Sequence, residues 1–178
     1  MKNIWIIAAF CALLFCAMPT SASAQNQDAE IAATTLVKAG MEAPNFTVTM
    51  FDGSQLTLSD LKGKVVLVNF WATWCPPCRQ ELAHMQEGVI DQFAGSDLVV
   101  LPISRGETRA TVESFIHKMG YTFPVGIDEN KSIYLKYATN YIPRAFVIDK
   151  KGRVVYNAAG YDEVIAREIN EAIAAALR

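Results

Sequence analysis

A strand, a sharp turn and a helix written into residues 64–93 constrain this chain more than any other feature. The run Lys64-Val65-Val66-Leu67-Val68-Asn69-Phe70-Trp71 is β-branched and apolar, the composition of a buried strand. Cys75-Pro76-Pro77-Cys78 follows, and then Leu82, Met85, Val89 and Phe93 at the spacing of one apolar helical stripe. The two thiols therefore fall at a helix N-terminus, where unpaired backbone N–H groups and the macrodipole favour an anion such as a thiolate. Pro76 and Pro77 suit the first helical turn, where a missing N–H costs least and a fixed φ stiffens the backbone. A disulfide within one turn closes almost no loop and adds little stability, so the pair points to reversible redox chemistry rather than a staple.

The first two dozen residues read as an address. Lys2 supplies a positive start, residues 4–18 are apolar up to Pro19, and Ala22-Ser23-Ala24 before Gln25 fits a signal-peptidase site. The apolar stretch is short beside the ~20 residues of a membrane span. Residues 1–24 are thus expected to be a cleaved signal peptide, with retention as an N-terminal membrane anchor as the alternative. Cys16 raises lipidation, but Phe15 precedes it where a lipoprotein site wants a small residue. Export places the domain in an oxidising compartment, here read as the periplasm. Cys11 and Cys16 leave with the leader, and the remaining Cys75 and Cys78 are too few for a four-ligand zinc site. No metal or other cofactor is expected. A net charge of -2 without a basic patch or low-complexity tract gives nucleic acid no hold.

The remaining length, about 150 residues, is an ordinary single-domain size. Residues 25–38 are polar and alanine-rich, either a tether or a short helix, and residues 25–39 are assigned as a flexible tether before a domain over residues 40–178. Phe46, Val48 and Met50 alternate, Asp52-Gly53 makes a hairpin turn, and residues 55–58 return as a second strand. Ser59-Asp60-Leu61 suggests one helical turn before Gly63. After the strand and helix already described, residues 98–103 form the next buried strand, and strand-helix-strand order implies a parallel crossover. Val112, Phe115, Ile116 and Met119 mark a helix over residues 108–119, residues 123–127 a strand, and residues 131–137 a shorter helix. Residues 145–148 and 154–157 make an antiparallel hairpin, and Val164, Ile165, Ile169, Ile173 and Leu177 give the last helix its buried face. The expected architecture is an α/β sandwich of three layers, a mixed central sheet with helices on both faces, an N-terminal β-hairpin and a central helix-strand insert.

From about Gly40 to the C-terminus the chain resembles the thioredoxin superfamily, and within it the exported TlpA/ResA-like disulfide reductases. The resemblance is carried by Asn69-Phe70-Trp71-Ala72-Thr73-Trp74-Cys75-Pro76-Pro77-Cys78-Arg79-Gln80-Glu81. Three further blocks support it: Gly40-Met41-Glu42-Ala43-Pro44-Asn45-Phe46, Leu58-Ser59-Asp60-Leu61-Lys62-Gly63-Lys64, and Ile142-Pro143-Arg144-Ala145-Phe146-Val147-Ile148-Asp149. It implies a thioredoxin-like domain and an extracytoplasmic thiol-disulfide oxidoreductase that reduces disulfides in exported proteins. Apocytochrome c is the family's best-known client, and a membrane thiol donor recharges such a reductant.

Cys75, nearest the helix start, is expected to have a pKa below the free value of about 8.5 and to attack, and Cys78, one turn deeper, to resolve the mixed disulfide. No histidine separates the two, as it does in strong oxidants of this fold, which tilts the reading toward a reductant. The resemblance implies that Glu81, on the same helical face as Cys78, raises a thiol pKa or accepts the Cys78 proton; an ordinary solvated glutamate stands against that. Asn69 occupies the place of thioredoxin's buried aspartate and cannot relay a proton. Pro143 matches the family's cis-proline, presenting the Ile142 backbone to an extended client strand, with Trp74 and Pro76 at the contact surface. Arg144 departs from the small residue common after this proline and is read as solvated. His84 and His117 are read as without a direct role.

Two other functions share the fold. A thiol peroxidase needs a threonine or serine three residues before its cysteine and a proline four before that, and here Ala72 and Val68 stand there. A copper-binding chaperone usually separates its cysteines by three residues, one more than this pair. The domain is expected to act as a monomer on disulfide-bonded exported proteins.

Overall fold

The computed structural model describes residues 21–178. The expected leader, with Cys11 and Cys16, lies outside them except for residues 21–24. The chain runs through α1 (Ser21–Thr34), β1 (Thr47–Met50), β2 (Gln55–Thr57), a 3-10 turn (Leu58–Leu61), β3 (Val65–Trp71), α2 (Pro76–Met85) and a π-helical turn (Gln86–Ile90). It continues through β4 (Leu98–Arg105), α3 (Arg109–Met119), β5 (Gly126–Asp128), α4 (Tyr134–Tyr137), β6 (Arg144–Ile148), β7 (Val154–Ala159) and α5 (Glu163–Leu177).

All seven strands among the described residues join one mixed sheet in the order β2-β1-β5-β4-β3-β6-β7. β3 pairs in parallel with β4 and antiparallel with β6, and every one of its residues is buried. Strand alternation splits its side chains between two cores. Val66, Val68 and Phe70 pack with Tyr134 and Tyr137 of α4 and with Phe146, while Val65, Leu67 and Trp71 pack with Leu82 of α2, Val112 of α3 and Ile169 of α5. Burial of each such large side chain contributes roughly 1.5–3 kcal/mol. Helices thus cover both faces, α2, α3 and α5 on one and α4 on the other, which is the three-layer sandwich the sequence predicts.

The second crossover also forms, since β5 pairs in parallel with β4. β5 then meets β1 of the N-terminal hairpin in antiparallel register. Gly126 permits that approach, because a Cβ there would lie 2.8 Å from Val48 Cγ2. β5 begins only at Gly126 and not at Phe123, as Pro124 has no N–H for a ladder.

Two segments depart from expectation. The helix predicted to run through Phe93 stops as α-helix at Met85 and widens, with the Asp91 N–H donating to the Gln86 carbonyl five residues back at 2.8 Å. Residues 25–39, read as a tether or a short helix and assigned as a flexible tether, take the helical alternative to Thr34 and are then bound to α4 and the sheet. The amides of Leu36 and Val37 donate to the Tyr137 carbonyl at 3.0 and 3.2 Å, Val37 is buried in the core, and Gly40 N donates to the Val154 carbonyl at 2.8 Å. An apolar anchor, the last carbonyl of α4 and the edge strand β7 hold what polarity alone marks as loose. No helix among the described residues is long and apolar enough to cross a membrane.

Candidate active site

β3 ends at Trp71, and four residues later Cys75 caps α2. Its Sγ accepts from the Cys78 amide at 3.3 Å, and Pro76 and Pro77 fill the first helical positions. The two prolines bring no N–H, so it is the Cys78 amide and the dipole of α2 that stabilise negative charge on the sulfur. Cys75 and Cys78 are joined as a disulfide. Cys75 is 3% exposed and Cys78 fully buried, so an incoming sulfur meets Cys75 first.

The other expected contact residues gather around that sulfur. The Ile142–Pro143 bond is cis, and the Ile142 carbonyl oxygen lies 3.7 Å from Cys75 Sγ. Trp74 and Pro76, its neighbours in the chain, are exposed, with Trp74 at 63%. An exposed aromatic ring, the outer of two sulfurs and a backbone carbonyl thus lie together.

Glu81 is not solvated. It is 4% exposed, its Oε2 has no hydrogen-bond partner among the described residues, and burial pushes its carboxyl up to about 8 from an ordinary 4.5. The Asn69 amide counters this only weakly, since neither of its polar atoms reaches hydrogen-bonding geometry. A carboxyl that titrates close to a thiol exchanges protons with it at little cost in free energy. His84 and His117 are both exposed.

Arg144, read from sequence as solvated, is 1% exposed. Its guanidinium donates to Thr35 Oγ1 at 2.6 Å, to Thr34 Oγ1 at 2.9 Å and to the Asn140 carbonyl at 3.0 Å. A longer bond of 3.4 Å reaches the Ile31 carbonyl. The cation thus lies against the C-terminal end of α1, where the helix dipole is negative, and its hydrogen bonds replace the water that burial removes. Its place beside Pro143 ties α1 to the loop that faces Cys75.

Glu107 escaped the sequence reading. Its carboxylate is buried just beyond β4 and accepts from the backbone amide of Thr73 at 2.7 Å, the Thr73 hydroxyl, and Ser104 Oγ at 3.3 Å. Its position past the C-terminal end of a parallel strand, beside the strand that delivers the cysteines, is the one signal that marks it.

Residues 39–157 match the model of the AhpC/TSA family. The chain belongs to the AhpC/TSA family. Within that thioredoxin-like family it is 40% identical over 121 residues to the thiol-disulfide oxidoreductase ResA of Bacillus thuringiensis (strain Al Hakam), covering 68% of this chain and 69% of the relative. The ResA of Bacillus subtilis (strain 168) is 34% identical over 124 residues, covering 70% and 69%. Among solved structures, a thiol:disulfide interchange protein of the thioredoxin family from Chlorobium tepidum TLS superposes with a TM-score of 0.65 at 29% identity, over 78% of this chain and 97% of that one. The matched span of the AhpC/TSA family takes in Cys75, Cys78, Glu81, Glu107 and Pro143.

Proposed function

We infer that this thiol-disulfide oxidoreductase works outside the cytoplasm as a reductant of disulfides in exported proteins. The observation that carries the reading is the placement of Cys75 at the α2 N-cap, its sulfur 3.7 Å from the Ile142 carbonyl that begins the cis-proline loop. An extended client segment lies along residues 141–143 as an added strand and brings its disulfide to the sulfur, with Trp74 and Pro76 beside it.

In the reduced pair the Cys75 thiolate attacks one client sulfur. The client S–S bond breaks, a mixed disulfide forms, and the departing client thiolate takes a proton from solvent. Cys78 then gives its proton to the Glu81 carboxylate and attacks the Cys75 sulfur. The Cys75–Cys78 bond forms as the bond to the client breaks, and the second client sulfur leaves with the electron pair. Two electrons pass from the pair to the client. Glu81 suits this step because its carboxyl is buried one turn beyond Cys78 and titrates at about 8, close enough to a thiol that its ionised form takes the Cys78 proton at little cost.

Export rests on the leader in residues 1–24. Cleavage after Ala24 removes only the start of α1, and the residues that hold the helix, Glu30, Ile31, Thr34 and Thr35, remain. A reductant in an oxidising compartment is regenerated by a membrane thiol donor carrying electrons from inside. Apocytochrome c, with paired thiols that must be reduced before haem attachment, is the client proposed.

The equilibrium potential of the Cys75/Cys78 couple tests the direction. A value near the thioredoxin end of the scale, about -270 mV, supports a reductase, and one near the strong-oxidant end, about -120 mV, reverses it. Loss of cytochrome c in a strain lacking the gene supports the client, and normal cytochrome c levels remove it.

A further inference from the structure

Beside Glu81, and lined by neither cysteine nor Ile142, a cleft of about 130 Å³ runs between α2 and α5. Glu81, His84 and Met85 of α2 line it, together with Tyr161, Ala166 and Asn170. Two of its polar atoms, Glu81 Oε2 and Asn170 Oδ1, are buried without a hydrogen-bond partner among the described residues. Such orphaned groups in one cleft call for water, and the volume holds more than the ~30 Å³ that one water occupies. At the outer end His84 is exposed and lies against half-buried Tyr161, their rings 6.2 Å apart.

The titratable groups at the cleft are Glu81 and His84 from α2 and Tyr161 from the turn before α5. Leu67 of β3, Met85 of α2, Gly88 and Val89 of the π-helical turn, and Ala166, Ile169 and Asn170 of α5 complete the wall and carry no charge. Burial, followed by the nearby Glu81 charge, pushes the Tyr161 phenol up, so it stays protonated and able to donate. Asn170 also holds the cleft open at its far end, its Nδ2 donating to the Gly88 carbonyl at 2.9 Å and to Gln92 Oε1 at 3.0 Å.

During the resolving step the client covers the Cys75 face, so the proton that Cys78 gives up has no path to solvent on that side. We propose that the α2–α5 cleft is the proton exit of this enzyme, carrying the proton from Glu81 through cleft water to the surface between His84 and Tyr161. The proposal rests on the reading of Glu81 as proton acceptor given above. The bonds exchanged in the step are those already written, and the cleft adds the transfer of one proton from Glu81 to bulk water. His84 and Tyr161 act as positioning residues at the mouth.

The experiment compares a large disulfide with a small one. Ala166→Leu fills the cleft from α5 at little cost in helix propensity. Gly88→Ala is the second variant, since a Cβ there would lie 3.8 Å from His84 Cβ, an ordinary contact. In single-turnover stopped flow, both variants are expected to slow resolution of the mixed disulfide with insulin by roughly 3- to 10-fold and to enlarge its solvent isotope effect. With 2-hydroxyethyl disulfide, which leaves the front face open, their rates stay at the wild-type value. Unchanged insulin rates overturn the exit, as does equal slowing with both substrates, which marks a general disturbance of α2. Glu81→Gln separates this from the underlying reading, because it slows both substrates if Glu81 is the acceptor and neither if it is not.

Discussion

The backbone amide of Thr73 donates to Glu107 Oε2 at 2.7 Å, which ties the turn that carries Cys75 to the end of β4. The same carboxylate takes the Thr73 hydroxyl and Ser104 Oγ, so one buried group fixes three donors from two neighbouring strands' ends. Glu107→Ala leaves those donors buried and unpaired. A loss of about 1–3 kcal/mol is expected in urea unfolding. Slower insulin reduction should accompany it, because the loosened turn no longer holds Cys75 against Ile142.

Burial of Glu81 makes stability depend on pH. Its carboxyl rises from 4.5 unfolded to about 8 folded, so between those values the folded protein keeps a proton that the unfolded chain releases. The contribution is fully present below pH 4.5, declines as pH rises through the window, and is gone above about 8. At ~1.4 kcal/mol per unit the change amounts to a few kcal/mol. Glu81→Gln, which has nothing to ionise, is expected to flatten this dependence and to make the oxidised protein more stable than wild type at pH 9. Denaturant midpoints at pH 4, 7 and 9 measure it.

The same group sets the rate of resolution. As an acceptor that titrates at about 8, Glu81 is more fully ionised with each step up from pH 6, and the resolving rate of wild type should climb over that range. Glu81→Gln should be slower by roughly 10- to 100-fold at neutral pH and lose the climb. A rate unchanged between pH 6 and 9 in both proteins removes Glu81 from the mechanism.

Arg144 makes the fourth prediction. Arg144→Met keeps much of the apolar stem but leaves the Thr34 and Thr35 hydroxyls and the Asn140 carbonyl without their donor. Amides of residues 25–39 should exchange faster with solvent, and global stability should fall by about 1–3 kcal/mol. Arg144→Lys should restore little, because a point ammonium cannot reach two hydroxyls and a carbonyl through a planar fork.

Local signals made most of the fold legible. β3 is apolar at nearly every position because both of its faces are covered, and Asp52-Gly53 marks a hairpin by the backbone freedom of Gly53 at φ 87°. The redox pair was visible for the same reason, since its chemistry depends on four consecutive residues. What stayed hidden depends on contacts made far along the chain. Arg144 is buried by Thr34 and Thr35, 110 and 109 residues away, and Glu107 reaches Thr73 across 34 residues. Alanine-rich polarity in residues 25–39 looks loose until Val37 and a distant arginine pin it. Glu81 was singled out by resemblance, but its burial follows from α5 and β3 closing over it, which helical spacing does not reveal.

The order of attack is the claim on which the rest depends, and trapping reads it directly. Reduced Cys78→Ser, mixed with a disulfide-bonded client, is expected to accumulate a mixed disulfide through Cys75, identified by mass spectrometry of the digested complex, while Cys75→Ser accumulates none. A client found covalently held by Cys78 in the Cys75→Ser protein, with Cys78→Ser left free, would contradict the account.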